Sequence, residues 1–411
     1  MQIPPHSLRF TILLAAMSAL PPLSVDMALP ALAVLGRDLE AAPQTAGLTL
    51  SAFLVGFAAS QLVFGPLGDR YGRRRPLLLG TALFAIADLA GAATPTIGFL
   101  IAACFLSGIG AGAAATLSRS VVRDLFEGAE AQAKFSYVSV VSILAPLTAP
   151  AIGAGLLAAA SWRAIYAVQG SFGLVLMAVI ALGLGETLPP GVAQPLHPAT
   201  IARNFARVLR HRVSGGYVLV NACAFGMMFS YISSSPLVFS HAFGVGSGGF
   251  AGLFAITALG IMAGSFFTGR LARQLAPRRL ALLAVGTSAA GAFGALALTL
   301  CGEATLARLM PFLTAATGGY GMLIGVATQG ALQPMHDIAG LTSGLYGAMQ
   351  MLGGAVGGAI AASLIGATGS PLVGMTASMS GFVLAGLLVF LFVVRPGLRR
   401  TGAAAATPGL P

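Results

Sequence analysis

Asp26 and Asp88 are the two acids that fall well inside apolar runs of this chain, and no Lys, Arg or His does so. A charge near the centre of a bilayer costs roughly 2.5 to 3.5 kcal/mol on insertion scales, so an acid kept there serves a purpose. Desolvation without a cationic neighbour favours the neutral form, which makes such a carboxyl a proton or cation site. Asp26 lies about sixteen residues into the first apolar run, ~24 Å along a helix rising about 1.5 Å per residue. Pro21 and Pro22 precede it by a turn, and their missing donors are expected to bend the helix and leave carbonyls facing a cavity. Asp88, in "FAIADLAGAA", reads first as a polar contact between helices and second as a further proton site.

A second group of residues suits an organic ligand. Asn221, Phe225, Met227, Met228, Phe229 and Tyr231 share one apolar run, and Met with aromatics makes an adaptable surface for flat, varied molecules. Tyr137, Gln329 and Gln350 are polar candidates for the same cavity; packing or lipid contact is the alternative reading for each. The five histidines fall in loops or at the ends of apolar runs, and Cys104, Cys223 and Cys301 are too scattered for a disulfide framework or a metal site. There is no H-E-x-x-H, no nucleophile–base pair and no phosphate loop, so an enzyme is not expected.

These residues need a membrane scaffold. The chain is 57% hydrophobic and only 8% charged, with a mean hydropathy of +0.90, far from the quarter-charged composition of soluble domains. About 20 apolar residues cross a bilayer core. Twelve such runs lie near 10–31, 45–65, 76–94, 97–118, 136–158, 164–185, 213–236, 247–269, 280–300, 308–330, 342–367 and 371–394. If the N-terminus is cytoplasmic, 19 of the 22 Lys and Arg fall in inner segments and only Arg37, Arg163 and Arg308 in outer ones, so the positive-inside rule places both termini in the cytoplasm. The net charge of +11 is then topology and lipid contact, with no nucleic-acid partner. Pro189, Pro190, Pro195 and Pro198 mark a cytoplasmic linker over 187–212, between a six-helix half at 1–186 and another at 213–396, with a flexible tail at 397–411. "GPLGDRYGRRR" after span 2 is echoed by "GRLARQLAPRR" (269–279) after span 8, consistent with a tandem repeat.

"GPLGDRYGRRRPLLLG" (65–80) packs Asp69, Arg70, Arg73, Arg74 and Arg75 into seven positions. It reads as a loop of about ten residues in which Gly65, Gly68 and Gly72 supply backbone freedom for a sharp turn. The arginines anchor topology; Asp69 must be paired, or held by a helix N-terminus. The pattern G-x-x-x-D-R-x-G-R-R, formed by Gly65, Asp69, Arg70, Gly72, Arg73 and Arg74, resembles the signature loop of the major facilitator superfamily. That resemblance implies an all-α membrane fold of twelve helices in two six-helix pseudo-repeats around a central cavity. It also implies that this loop clips the halves together in the outward-open state, with the start of span 11 (340–347) as partner of Asp69 and Asp124 as partner of the arginines.

Further stretches resemble the drug/proton antiporters, and in particular the bicyclomycin/chloramphenicol-resistance (Bcr/CflA) branch. "SVDMALPAL" (24–32) is similar to its Asp-x-x-x-Leu-Pro element. "APLTAPAIGAG" (145–155) resembles the antiporter motif through Pro146, Pro150 and Gly153, with Ala149 and Ala154 where the family has Gly. "GMMFSYISSSPLVF" (226–239) and "DIAGLTSGLYGAMQ" (337–350) resemble branch sequences in spans 7 and 11. One departure is Cys104, in "CFLSG", where the branch carries an arginine implicated in proton transfer. The resemblance implies proton-coupled efflux of small drug-like molecules across the inner membrane by a monomer. Asp26 would be the coupling site and the proton gradient the only auxiliary, with no cofactor and no metal. The alternatives within the fold are an exporter of one endogenous metabolite and an uptake symporter.

Overall fold

The computed structural model describes residues 3–126, 128–188, 198–272 and 274–397. Its regular elements are helices: α1 Leu8–Ala28, α2 Leu32–Asp38, α3 Pro43–Tyr71, α4 Arg74–Ala92, α5 Ile97–Leu125, α6 Gly128–Ala159, α7 Trp162–Gly183, α8 Pro198–Arg210, α9 Arg212–Phe243, α10 Ser247–Leu271, α11 Pro277–Leu300, α12 Leu306–Leu332, α13 Ala339–Thr368 and α14 Pro371–Val389. Among the described residues eleven helical stretches are long and apolar enough to cross a membrane, and the remaining expected span, 136–158, lies within α6. Helix starts carry their expected signals. Ser7, Thr96 and Ser370 accept the backbone N–H three residues on, and Pro43, Pro277 and Pro371 open α3, α11 and α14, where a missing N–H costs nothing.

The structure departs from the sequence reading at three places. α3 runs on to Tyr71 and α4 begins at Arg74, so the expected ten-residue loop is a two-residue turn. Gly65 and Gly68 are helical; only Gly72, at φ +86°, has a conformation that favours glycine. Asp69 accordingly sits in the last turn of α3, not at a helix N-terminus. α1 stays helical through Pro21 and Pro22, and its winding changes at a 3-10 turn over Leu29–Ala31 that the sequence reading did not expect. Pro30 has no N–H for the carbonyl of Asp26, four residues back. The expected linker contains α8, whose Ile201, Phe205 and Val208 share one side while Arg203, Arg207 and Arg210 share the other. Val208 is fully buried and α8 packs on α13. Pro189, Pro190 and Pro195 of that linker, and the tail from 398 onward, lie outside the described residues.

The chain divides into two compact units, Met1–Leu196 with Phe239–Ala255, and His197–Val238 with Ile256–Pro411. Each is held by helix crossings so close that glycine is required. In the first unit a Cβ on Gly56 would strike the Phe105 carbonyl, one on Gly108 the Phe53 carbonyl, and one on Gly153 the Met27 carbonyl. In the second, Gly264 meets the Gly318 carbonyl, Gly321 that of Ile261, Gly353 that of Ala222, and Gly357 that of Gly226. The paired helices are α3 with α5 and α1 with α6 in one unit, and α10 with α12 and α9 with α13 in the other. Counted as spans these are 2–4 and 1–5, then 8–10 and 7–11. The repeat hinted at by two arginine-rich stretches is thus a repeat of packing, made with the small residues that let membrane helices approach.

Candidate functional site

The turn between α3 and α4 assembles a charged cluster in the first unit. The Arg73 guanidinium is buried, with 6% of its side chain exposed. Its Nε donates to Asp124 Oδ2 at 2.7 Å and its Nη2 to Asp124 Oδ1 at 3.3 Å; Nη1 donates to Asp69 Oδ1 at 2.5 Å. The fork thus engages both oxygens of one carboxylate and one of another, a geometry that arginine supplies and lysine does not. Arg74 Nη2 donates to the Ala181 carbonyl at 2.6 Å, tying the start of α4 to the end of α7. Arg70 lies over the Tyr71 ring, 5.3 Å from its centroid.

Glu186 completes this cluster, and the sequence reading missed it. Its carboxylate accepts the backbone N–H groups of Arg73 at 2.7 Å, Arg74 at 3.3 Å, Thr187 at 2.9 Å and Leu188 at 3.0 Å, so an anion holds the N-terminal end of α4. A Cβ on Gly72 would collide with that carboxylate. The available signal was isolation: Glu186 is the only acid between Glu130 and Glu303. Burial pushes its carboxyl up, but the four N–H donors outweigh this and hold it below the ordinary 4.5. The tie therefore forms fully above pH about 4.5 and is lost as the pH falls through the lowered value. Glu186→Gln should raise hydrogen exchange at the Arg73 and Arg74 amides about tenfold at neutral pH, because charge-assisted bonds become neutral ones. Wild type should show the same rise only in acid. Unchanged exchange in the variant would refute this role.

Asp26 is buried, 5% exposed, and takes part in none of the ion pairs found among the described residues. It stands one residue before Met27, whose carbonyl is the contact point of Gly153 on α6. The proline- and glycine-bearing helix α6, with Pro146 and Pro150 inside it, is thus fitted against the segment that carries the acid. Asp88, on α4, is 2% exposed. It lines a small cavity with Ser24 and Ala28 of α1, Thr49, Leu50 and Phe53 of α3, Cys104 and Ser107 of α5, and Tyr166 and Gln169 of α7. Cys104 Sγ donates to the Tyr166 hydroxyl at 3.9 Å, and Gln169 Nε2 donates to the Leu23 and Ser24 carbonyls at 3.5 and 3.4 Å. Asp88 Oδ2 is buried without a hydrogen-bond partner.

The candidate ligand residues divide. Phe225 of α9 and Gln350 of α13 meet at Tyr320 of α12: the rings of Phe225 and Tyr320 are 5.8 Å apart, and Gln350 Nε2 donates to the Tyr320 hydroxyl at 2.8 Å. Tyr320 was not singled out from sequence, where it lies among glycines in "TGGYG". Asn221 is fully buried with neither amide atom hydrogen-bonded, which costs free energy. Met228 is buried as well. Tyr231 stands apart, its hydroxyl 2.9 Å from that of Thr257 on α10. Tyr137 on α6 is 61% exposed, and Gln329 is exposed on α12. No group of three His, Cys, Asp or Glu suited to a metal ion occurs among the described residues.

Membrane-length helices, two units built on the same crossings, and buried acids define a multi-pass membrane protein of the transporter class. The family model described as Major Facilitator Superfamily matches residues 14–358, and the chain belongs to that family. Its members carry small molecules across membranes and are not enzymes. The chain is 34% identical to an uncharacterized MFS-type transporter, YdgK, of Bacillus subtilis, over 93% of this chain and 94% of that protein. It is 28% identical to the bicyclomycin resistance protein homolog of Haemophilus influenzae, over 96% and 98%. A solved bacterial homolog of the human lysosomal transporter Spinster, inward-facing and unoccupied, has the same fold, with a TM-score of 0.73 at 15% identity over 98% of this chain and 99% of that one.

Proposed function

We infer that the protein exports small drug-like or amphipathic molecules across the bacterial inner membrane in exchange for protons, by alternating access. The observation that carries this reading is the near full-length similarity to a bicyclomycin resistance protein homolog. Asp26 adds the chemistry: a buried carboxyl in span 1 binds a proton from outside, favours release of substrate there, and gives the proton up inside. Each proton moving inward gains about 2.3 kcal/mol per 100 mV of membrane potential. The arginine-rich cluster, with both termini, lies on the cytoplasmic side. There Arg73, with Asp69 and Asp124, supports a latch that breaks and re-forms in each cycle and so biases a two-state equilibrium.

The test is accumulation in pump-deficient cells. Cells expressing the protein should hold less of at least one member of a panel of bicyclomycin, phenicols and lipophilic cations, and a protonophore should restore the level. Equal accumulation across the panel, with the protein present in the membrane, would count against drug export and favour one endogenous metabolite. Higher accumulation would identify an uptake symporter.

A further inference from the structure

The cavity around Asp88 lies within the first unit, and helices α1, α3, α4, α5 and α7 each contribute to its wall. Two of its polar atoms, Asp88 Oδ2 and Ser107 Oγ, are buried and without hydrogen-bond partners. A buried polar atom left unpaired costs free energy, and a carboxylate left unpaired costs far more. The groups facing Asp88 are few. Ser107 and Cys104 approach from α5 and Tyr166 from α7, while α3 and α1 present Thr49, Ser24 and apolar side chains. None carries a positive charge. Ser24 and Thr49 spend their hydroxyl protons on the carbonyls of Leu20 and Ala46, and Gln169 spends its amide on α1. The Ser107 hydroxyl is therefore the donor beside the acid that has no hydrogen-bond partner of its own, whereas the Tyr166 hydroxyl is already engaged by Cys104. The space is that of about one water, too small for an organic substrate and sufficient for a proton delivered by water.

We propose that this cavity is a second proton-binding site of the transporter, with Asp88 Oδ2 as the proton acceptor and the Ser107 hydroxyl as the group that hydrogen-bonds the ionised carboxylate. The proton passes from water to Oδ2 and returns to water, and no bond between heavy atoms is made or broken. The Ser107 hydroxyl turns toward Oδ2 when the carboxyl is ionised and accepts from it when it is protonated. The site's part in transport rests on the exchange reading above; its existence as a titrating site does not.

Two readouts separate these claims. Infrared spectra of the full-length protein in lipid nanodiscs, taken across the neutral pH range, should show a protonated-carboxyl band that is lost reversibly as the pH rises. That component should be absent in Asp88→Asn, present in Asp26→Asn, and regained in Asp88→Glu, which controls for folding. A spectrum unchanged by Asp88→Asn, or a band that never titrates, overturns the site. In everted vesicles Asp88→Asn should lose the gradient-driven part of substrate uptake and keep downhill flux, because asparagine mimics the protonated acid. Loss of both fluxes together, or of neither, denies Asp88 a role in coupling. A titrating Asp88 band alongside wild-type flux that ignores the gradient would leave the site standing and overturn both its role in transport and the exchange reading.

Discussion

Arg73→Ala is expected to destabilise the first unit by about 3 kcal/mol, the low end for breaking a buried ion pair by removing one partner. The low end applies because Asp69 is half-exposed while Asp124 keeps only 13% of its side chain in contact with solvent. What remains after the substitution is a nearly buried Asp124 carboxylate whose other contact is a long one, 3.5 Å to the Thr187 hydroxyl. Arg73→Lys should recover only part of the loss, since one ammonium cannot span both Asp124 oxygens and Asp69. Removing Asp124 as well should restore stability relative to Arg73→Ala alone, giving a coupling above about 1 kcal/mol in the double-mutant cycle. The single tryptophan reports the unfolding: Trp162 is fully buried in this unit and donates through Nε1 to Asp38 Oδ2 at 3.0 Å. Transport should fall with Arg73→Ala even at temperatures where the protein is folded, because the latch is gone. A variant as stable and as active as wild type would remove the cluster from the account.

The second large effect lies at the crossing of α3 and α5. Gly108→Ala places a methyl group against the Phe53 carbonyl, and Gly56→Ala places one against the Phe105 carbonyl. Backbone atoms cannot swing aside as a side chain can, so the helices must separate and lose contact along their length. Each change should cost about 1 to 3 kcal/mol, and the double variant should cost less than the sum because the first methyl already opens the crossing. Gly325→Ala on α12, where nothing lies within 4 Å, is the control. It should be neutral or stabilising by up to about 1 kcal/mol, since alanine is the better helix former. Thermal unfolding of the purified variants measures all four; a Gly108→Ala protein that melts with wild type would contradict the packing described.

The membrane-length helices were legible because a bilayer demands long apolar runs, and the same demand made Asp26 and Asp88 conspicuous. Helix ends were less legible. Hydropathy reports where lipid stops, near Gly65, whereas α3 stops where Gly72 breaks its geometry at φ +86°. The intervening "PLGDRY" is polar and still helical. Pro21 and Pro22 drew attention in α1, yet the helix continues through both and its winding changes at Pro30, whose missing N–H follows the same local rule. The pairing of Arg73 with Asp124 joins residues 51 apart and was available only through a family pattern. Glu186 lay outside the pattern considered, although its isolation among 11 acids marked it. Phe225 and Gln350 were named without the group that joins them, Tyr320, because periodicity gives a helix face and not which faces meet.

The measurement that bears most directly on the central claim uses everted membrane vesicles holding a respiration-generated proton gradient, with wild type and Asp26→Asn compared at equal protein. Addition of a substrate identified by the accumulation test should partly collapse the gradient in wild-type vesicles and leave it unchanged with Asp26→Asn. Equal collapse in both would show that protons cross without the span 1 carboxyl, and would contradict the account of Asp26 as the coupling site.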